Sequence, residues 1–142
     1  MLEALSISLN QTAVLGFLLY MFGAAVFLGL FQFIYTRLTP HKEFVLIRDN
    51  NVAAAIALAG AIIGFAIPAS NVIAYSVSLL DFVVWAVIAG IVQLLGFFFT
   101  TLVIRNVSER INRGEIATGL YVAAVAISVG MLNAACMTPS TN

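Results

Sequence analysis

The sequence predicts an all-α membrane protein, with four transmembrane helices built as two tandem, parallel helical hairpins. Three observations lead there. The 142 residues are 63% hydrophobic and 8% charged, with a mean hydropathy of +1.11. A soluble domain carries roughly 25% charged residues, so this chain has too little polar surface to face water. Its apolar residues gather into four runs, each near the roughly 20 residues that cross a bilayer. All six Lys and Arg fall in the first and third connections between those runs.

The first span is read at 13–35, interrupted by Gln32. At 1.5 Å per residue it reaches about 34 Å, enough for a hydrocarbon core of about 30 Å. The segment before it, MLEALSISLNQ, has no Lys or Arg. It lacks the basic region of a secretory signal, so the run is read as a retained helix. The loop 36–51 carries Arg37, His41, Lys42 and Arg48, and Thr39-Pro40 ends the helix.

The second span is read at 52–74. Stopping before Pro68 would leave only about 24 Å, so the helix is expected to run through the proline. Pro68 deprives the carbonyl of Gly64 of its helical hydrogen bond, and a glycine there offers no side chain to clash at a kink. Ser70 or Asn71 would help satisfy polar groups loosened nearby. After a turn at 75–78 come the third span, 79–104, a second basic loop, 105–115, and the fourth span, 116–137. Arg105, Arg110 and Arg113 lie in that second loop. Thr138-Pro139 and a short polar tail follow the last span.

The chain thus reads as a single integral membrane domain with repeat units at 13–74 and 79–137. An offset of 64 pairs Ile47 with Ile111, Ala53 with Ala117, Phe33 with Phe97 and Thr36 with Thr100. Layout repeats more clearly than residues do. Two spans per unit make the repeats parallel, unlike inverted-repeat transporters. The positive-inside rule puts both basic loops in the cytoplasm and both termini outside.

Asp81 is an acid inside an apolar stretch, and an intramembrane carboxylate is by default a candidate ion or proton site. The competing reading is a capping box, with Ser78 as cap and Asp81 three residues on, in the favourable field of a helix N-terminus. The third span exceeds the core by about 9 Å, which puts Asp81 at the outer boundary, with Trp85 one turn further in the aromatic belt. Gln93 is the deepest polar group. Its amide is read as glue between helices, with a pore-lining role as the alternative. Ser70, Asn71, Ser76, Ser78, Asp81, Asn133, Cys136 and Thr138 fall near outer span ends and could line a polar vestibule.

Gly60 and Gly64 form GxxxG. Ala53, Ala57 and Ala61 share that spacing on another face, and Ala126, Gly130 and Ala134 repeat it in the fourth span. Such small faces serve packing inside the bundle or contact between subunits. Arg37, Lys42, Arg48, Arg105, Arg110 and Arg113 are candidate contacts for lipid head groups or a cytoplasmic partner. Asp49 and Glu115 suit helix N-termini. His41 is a lone loop histidine and Cys136 a small packing residue.

The sequence holds no metal-ligand spacing, phosphate loop or nucleophile–base pair, so the expectation is a non-enzyme with no cofactor and no metal. A net charge of zero gives no field for nucleic acid.

Three segments carry a resemblance: TPHKEFVLIRDNNVAAAIALAGAIIGFAIP, SVSLLDFVVWAVIAGIVQLLGFF and MLNAACMTP. Together they are similar to the YjfL-like family of small bacterial inner-membrane proteins, a domain of unknown function. Glu43, Ile47-Arg48, Asn51, Pro68, Ser78, Asp81, Trp85, Gln93 and Asn133 stand at the expected places. The resemblance implies a four-helix inner-membrane protein of two tandem units, with no established activity. It also implies company with membrane-stress proteins of the PspA kind, hence envelope maintenance. The expected function is an oligomeric accessory protein in envelope or membrane-stress maintenance, supporting envelope integrity or docking a cytoplasmic membrane-stress protein. The alternative is a small oligomeric channel or transporter using Asp81 and the outer polar cluster.

Overall fold

The computed structural model describes residues 10–137, which form helices with no strand among them. Four are long: α1 (Gln11–Leu38), α3 (Val52–Tyr75), α4 (Leu79–Val103) and α6 (Ile116–Cys136). Two are single short turns of helix, α2 (Glu43–Arg48) and α5 (Val107–Asn112). The four long ones are apolar and long enough to cross a membrane. They agree with the spans read from sequence to within a few residues at each end. Thr138-Pro139 and the polar tail lie outside the described residues.

Local chemistry sets the starts. The side chains of Asn10, Asn51 and Ser78 accept hydrogen bonds from the backbone N–H groups of Ala13, Ala54 and Asp81, at 2.7, 3.0 and 3.2 Å. Each satisfies a donor that a helix start leaves unpaired. Helix α3 continues through Pro68, as its length requires.

The two basic segments are not loops throughout, for each holds a six-residue helix. Six residues are too few for a period of 3.6 to stand out. They fold because Val107 and Ile111 of α5 are buried and Leu46 and Ile47 of α2 pack against the same apolar cluster. The backbone turns out of α2 at Asn50 (φ 61°) and out of α5 at Gly114 (φ 78°), in the left-handed region that asparagine and glycine tolerate. Glu43, Arg48, Asn50 and Val52 stand 64 residues before Val107, Asn112, Gly114 and Ile116.

The core is the seam between α3 and α6. The two helices run the same way, with Ala53 against Gly119, Gly60 against Ala123, and Gly64 against Ala126 and Gly130. A Cβ on any of these four glycines would meet backbone of the other helix. Small residues thus bring two backbones into direct contact. Ala53 and Ala57 belong to the same seam as Gly60 and Gly64 rather than to another face, and only Ala61 turns away toward Phe31, Leu58 and Ala89. Strict steps of four drift off one face of a straight helix, and the step of three from Ala57 to Gly60 keeps the stripe facing its neighbour.

Helix α4 packs across this pair, and α1 lies outermost. In α3, 56% of the most apolar stretch is buried, against 6% in α1. Helix α1 is fastened by aromatic rings. Tyr20 and Phe27 meet Phe82 edge-on, Phe31 stacks on Phe65 with centroids 4.5 Å apart, and Tyr35 meets Phe97 edge-on at 5.0 Å. Gly23 leaves room for the ring of Phe82.

Candidate functional site

Polar side chains occur in three places: the interior, the end carrying α2 and α5 (the basic end), and the end carrying the α3–α4 turn (the turn end).

The interior amides tie helices together. Gln93 donates from Nε2 to the carbonyl of Ala126 at 2.8 Å, and Asn133 donates from Nδ2 to Ala89 at 3.3 Å. Nearer the turn end, Asn71 donates to Ala134 at 2.6 Å. Every one of these bonds has α6 on one side. The Gln93 amide passes over Gly64, where a Cβ would collide with it, so the glycine also opens the route to α6. Gln93 Oε1 and the Tyr35 hydroxyl are buried without a hydrogen-bond partner among the described residues. Both line an interior cavity of only about 10 Å³, at the lower limit for one water.

The basic end holds a buried group that sequence reasoning passed over. The side chains of His41 and Glu43 are both fully buried, with His41 Nε2 3.3 Å from Glu43 Oε1. His41 Nδ1 lies 3.1 Å from Ser108 Oγ on α5. Neither Glu43 oxygen has hydrogen-bond geometry to a donor among the described residues. The His41–Glu43 approach is therefore close but poorly aligned. Asn51, while capping α3, also donates to the Ile111 carbonyl at 2.8 Å. These contacts pin α2 to α5. His41 is thus not a lone loop histidine.

Around this buried group the cations face outward. Arg37, Lys42, Arg48, Arg105 and Arg113 are exposed. Lys42, Arg48 and Arg105 join no ion pair among the described residues. Arg37 sits over the Phe33 ring, 4.8 Å from its centroid. Arg110 is committed elsewhere, with Nε 2.6 Å from Glu115 Oε2, and Arg113 approaches the same carboxylate at 4.0 Å. The Arg110 hydrogen bond holds the Glu115 carboxyl below its ordinary value, aided by the charges of both arginines and a bond from Thr118.

The turn end carries the Ser78 cap, with the return bond of Asp81 going to Val77 rather than to Ser78. Asp81 N–H bonds to Ser78 Oγ, and Asp81 Oδ2 accepts from the Val77 N–H at 3.1 Å. Asp81 also faces a cavity of about 350 Å³ with Asn71, Ser76, Trp85 and Cys136. The structure thus gathers part of the polar set named from sequence and separates the rest. Ser78 is spent on the cap, and Ser70 bonds back to Ile67 in its own helix. Asn133 is buried against α4, and Gln93 lies deeper still. Thr138 is outside the described residues. Among those residues no three His, Cys, Asp or Glu side chains gather as metal ligands would.

Residues 8–137 match the family model described as Domain of Unknown Function (DUF350). The chain is 38% identical over 126 residues to the inner membrane protein YjfL of Escherichia coli (strain K12), covering 89% of this chain and 96% of that protein. It has the same identity and coverage with inner membrane protein YjfL of Escherichia coli O157:H7. No solved structure matches it.

Proposed function

The chain belongs to the DUF350 family, and we propose that it is a non-enzymatic, multi-pass accessory protein of the bacterial inner membrane, acting as an oligomer in envelope maintenance. The basic end lies in the cytoplasm and both chain termini lie outside. The two halves are tandem units, a reading supported by the common spacing of 64 between α2 and α5 and between the starts of α3 and α6.

One observation carries the reading. Lys42, Arg48 and Arg105 are exposed on segments held down by the His41–Glu43–Ser108 group and by Asn51. Cations on a fixed platform meet an anionic surface with less ordering cost than cations on a free loop. Their partner is an acidic face of a cytoplasmic membrane-stress protein, with anionic lipid head groups beside it.

A channel draws less support. The interior amides are spent between helices, and the cavity among them is about the size of one water. Conduction would need a path between copies.

Two measurements test the proposal. A membrane-impermeant thiol reagent applied to intact spheroplasts should label Cys136, the single cysteine and an exposed one. Labelling only after lysis reverses the orientation. Native mass of the detergent-extracted protein should give an oligomer, and Arg48→Glu or Arg113→Glu should release a co-purifying cytoplasmic protein. Ion flux through liposomes that Asp81→Asn abolishes would replace this reading with the channel.

A further inference from the structure

The 350 Å³ cavity at the turn end has a composition that selects a ligand. Its size suits a small molecule or a head group. Asn71, Tyr75 and Ser76 come from the end of α3, Asp81 and Trp85 from the first turns of α4, and Cys136 from α6. Asp81 is the one ionisable acid on this wall. All six Lys and Arg lie toward the opposite end, Arg37 in the last turn of α1 and the other five in the connections. Every ion pair among the described residues is there too.

Asp81 is half-buried, and its Oδ2 accepts one backbone bond, from Val77. A carboxylate offers about four acceptor sites, so capacity remains for a charged donor. Trp85, one turn further along α4, shares the face of Asp81. Tyr75 brings a second aromatic ring to the same cavity. A carboxylate beside aromatic rings is the arrangement that attracts an organic cation, through a charge-assisted hydrogen bond and cation–π attraction. An anion would be repelled. A hard metal ion wants several oxygen ligands rather than one carboxylate and two rings.

We propose that this cavity binds an alkylammonium group, held by Asp81 and covered by Trp85 and Tyr75. Two sources supply that chemistry. One is the ethanolamine head group of a phospholipid, which lies at the level where Trp and Tyr collect. The other is a free amine in solution.

Trp85 is the single tryptophan, so its fluorescence reads the site directly. Protein in nanodiscs of phosphatidylglycerol is titrated with ethanolamine hydrochloride, against sodium chloride at equal ionic strength. A second set of nanodiscs contains phosphatidylethanolamine in increasing proportion. A saturable change with dissolved ethanolamine assigns the site to a free amine. A change only with phosphatidylethanolamine assigns it to the lipid. Asp81→Asn should weaken the response about tenfold or more. Ser78→Ala loosens the same helix start but keeps the carboxylate, and it should bind as the parent does. No saturable change in either series overturns the proposal, as does an undiminished response in Asp81→Asn. Equal loss in Ser78→Ala and Asp81→Asn also overturns it, because the effect then belongs to the cap.

Discussion

The carbonyl oxygen of Gly64 faces the Cα of Gly130, at the spot where any other residue would carry its Cβ. Pro68 has no N–H to offer that oxygen. The Gly130 Cα–H group stands in its place, a weak contact of about 0.5–1 kcal/mol. A hydrogen bond missing from one helix is thereby partly replaced by a glycine on another.

Gly130→Ala should destabilise the protein by about 1–3 kcal/mol, the range for overpacking, and the effect should lie at the top of it because backbone meets backbone. Gly119→Ala, which would strike Ala53, should behave alike. Gly29→Ala is the control, because a Cβ there meets nothing. It should be neutral or stabilising by roughly 0.5–1 kcal/mol. Unfolding in detergent, followed by circular dichroism, measures all three. Equal midpoints would mean that the α3–α6 seam is looser than described.

Gln93→Leu tests the interior amides. It removes the bond to Ala126 but also buries more apolar surface and discards an oxygen without a partner. The net loss should be small, about 0.6–2 kcal/mol, and helix content should not change. A larger loss, or a change in oligomer size, would show that Gln93 serves more than this contact.

His41→Ala leaves Glu43 buried without its nearest polar neighbour. Leaving a buried polar group further from any partner costs about 1–3 kcal/mol. Glu43→Gln, which keeps the shape and the neighbouring imidazole, should cost less. The readout is amide hydrogen exchange across α2 and α5, which should quicken in His41→Ala while α4 stays protected. Unchanged exchange would separate the pair from the anchoring of the basic end.

Glu115 gives a pH dependence. Its carboxyl sits below the ordinary 4.5 in the folded protein, chiefly through the Arg110 hydrogen bond. The fold therefore favours the ionised form. Stability from this source is complete above 4.5 and drains away as pH falls through the lowered folded value. Arg110→Ala should be less stable than the parent at neutral pH, with the two curves converging in acid. A gap that stays constant with pH would remove Glu115 as the cause.

Four spans, the helix through Pro68 and the Ser78 cap on Asp81 N–H were legible because each rests on local chemistry. Length, a missing N–H and a three-residue spacing are all properties of a short stretch. The buried pair at the basic end was not legible. Its burial depends on Ser108 and α5, 67 residues along the chain from His41, and nothing near His41 announces them. The seam was half legible. Small residues at spacing four were visible, but which of them face α6 depends on the small rotation between successive turns. The outer polar set was read as one cluster because all its members lie near span ends. Direction around each helix then sent Asn133 inward and left Asp81, Asn71 and Ser76 together.

Among the described helices, α6 is made after the other three long ones. Asn71 and Gln93 are synthesised before the carbonyls of Ala134 and Ala126 that receive them. During biogenesis the first three long helices therefore enter the bilayer carrying amides whose acceptors on α6 do not yet exist. Helix α6 brings both those acceptors and the glycines that meet α3.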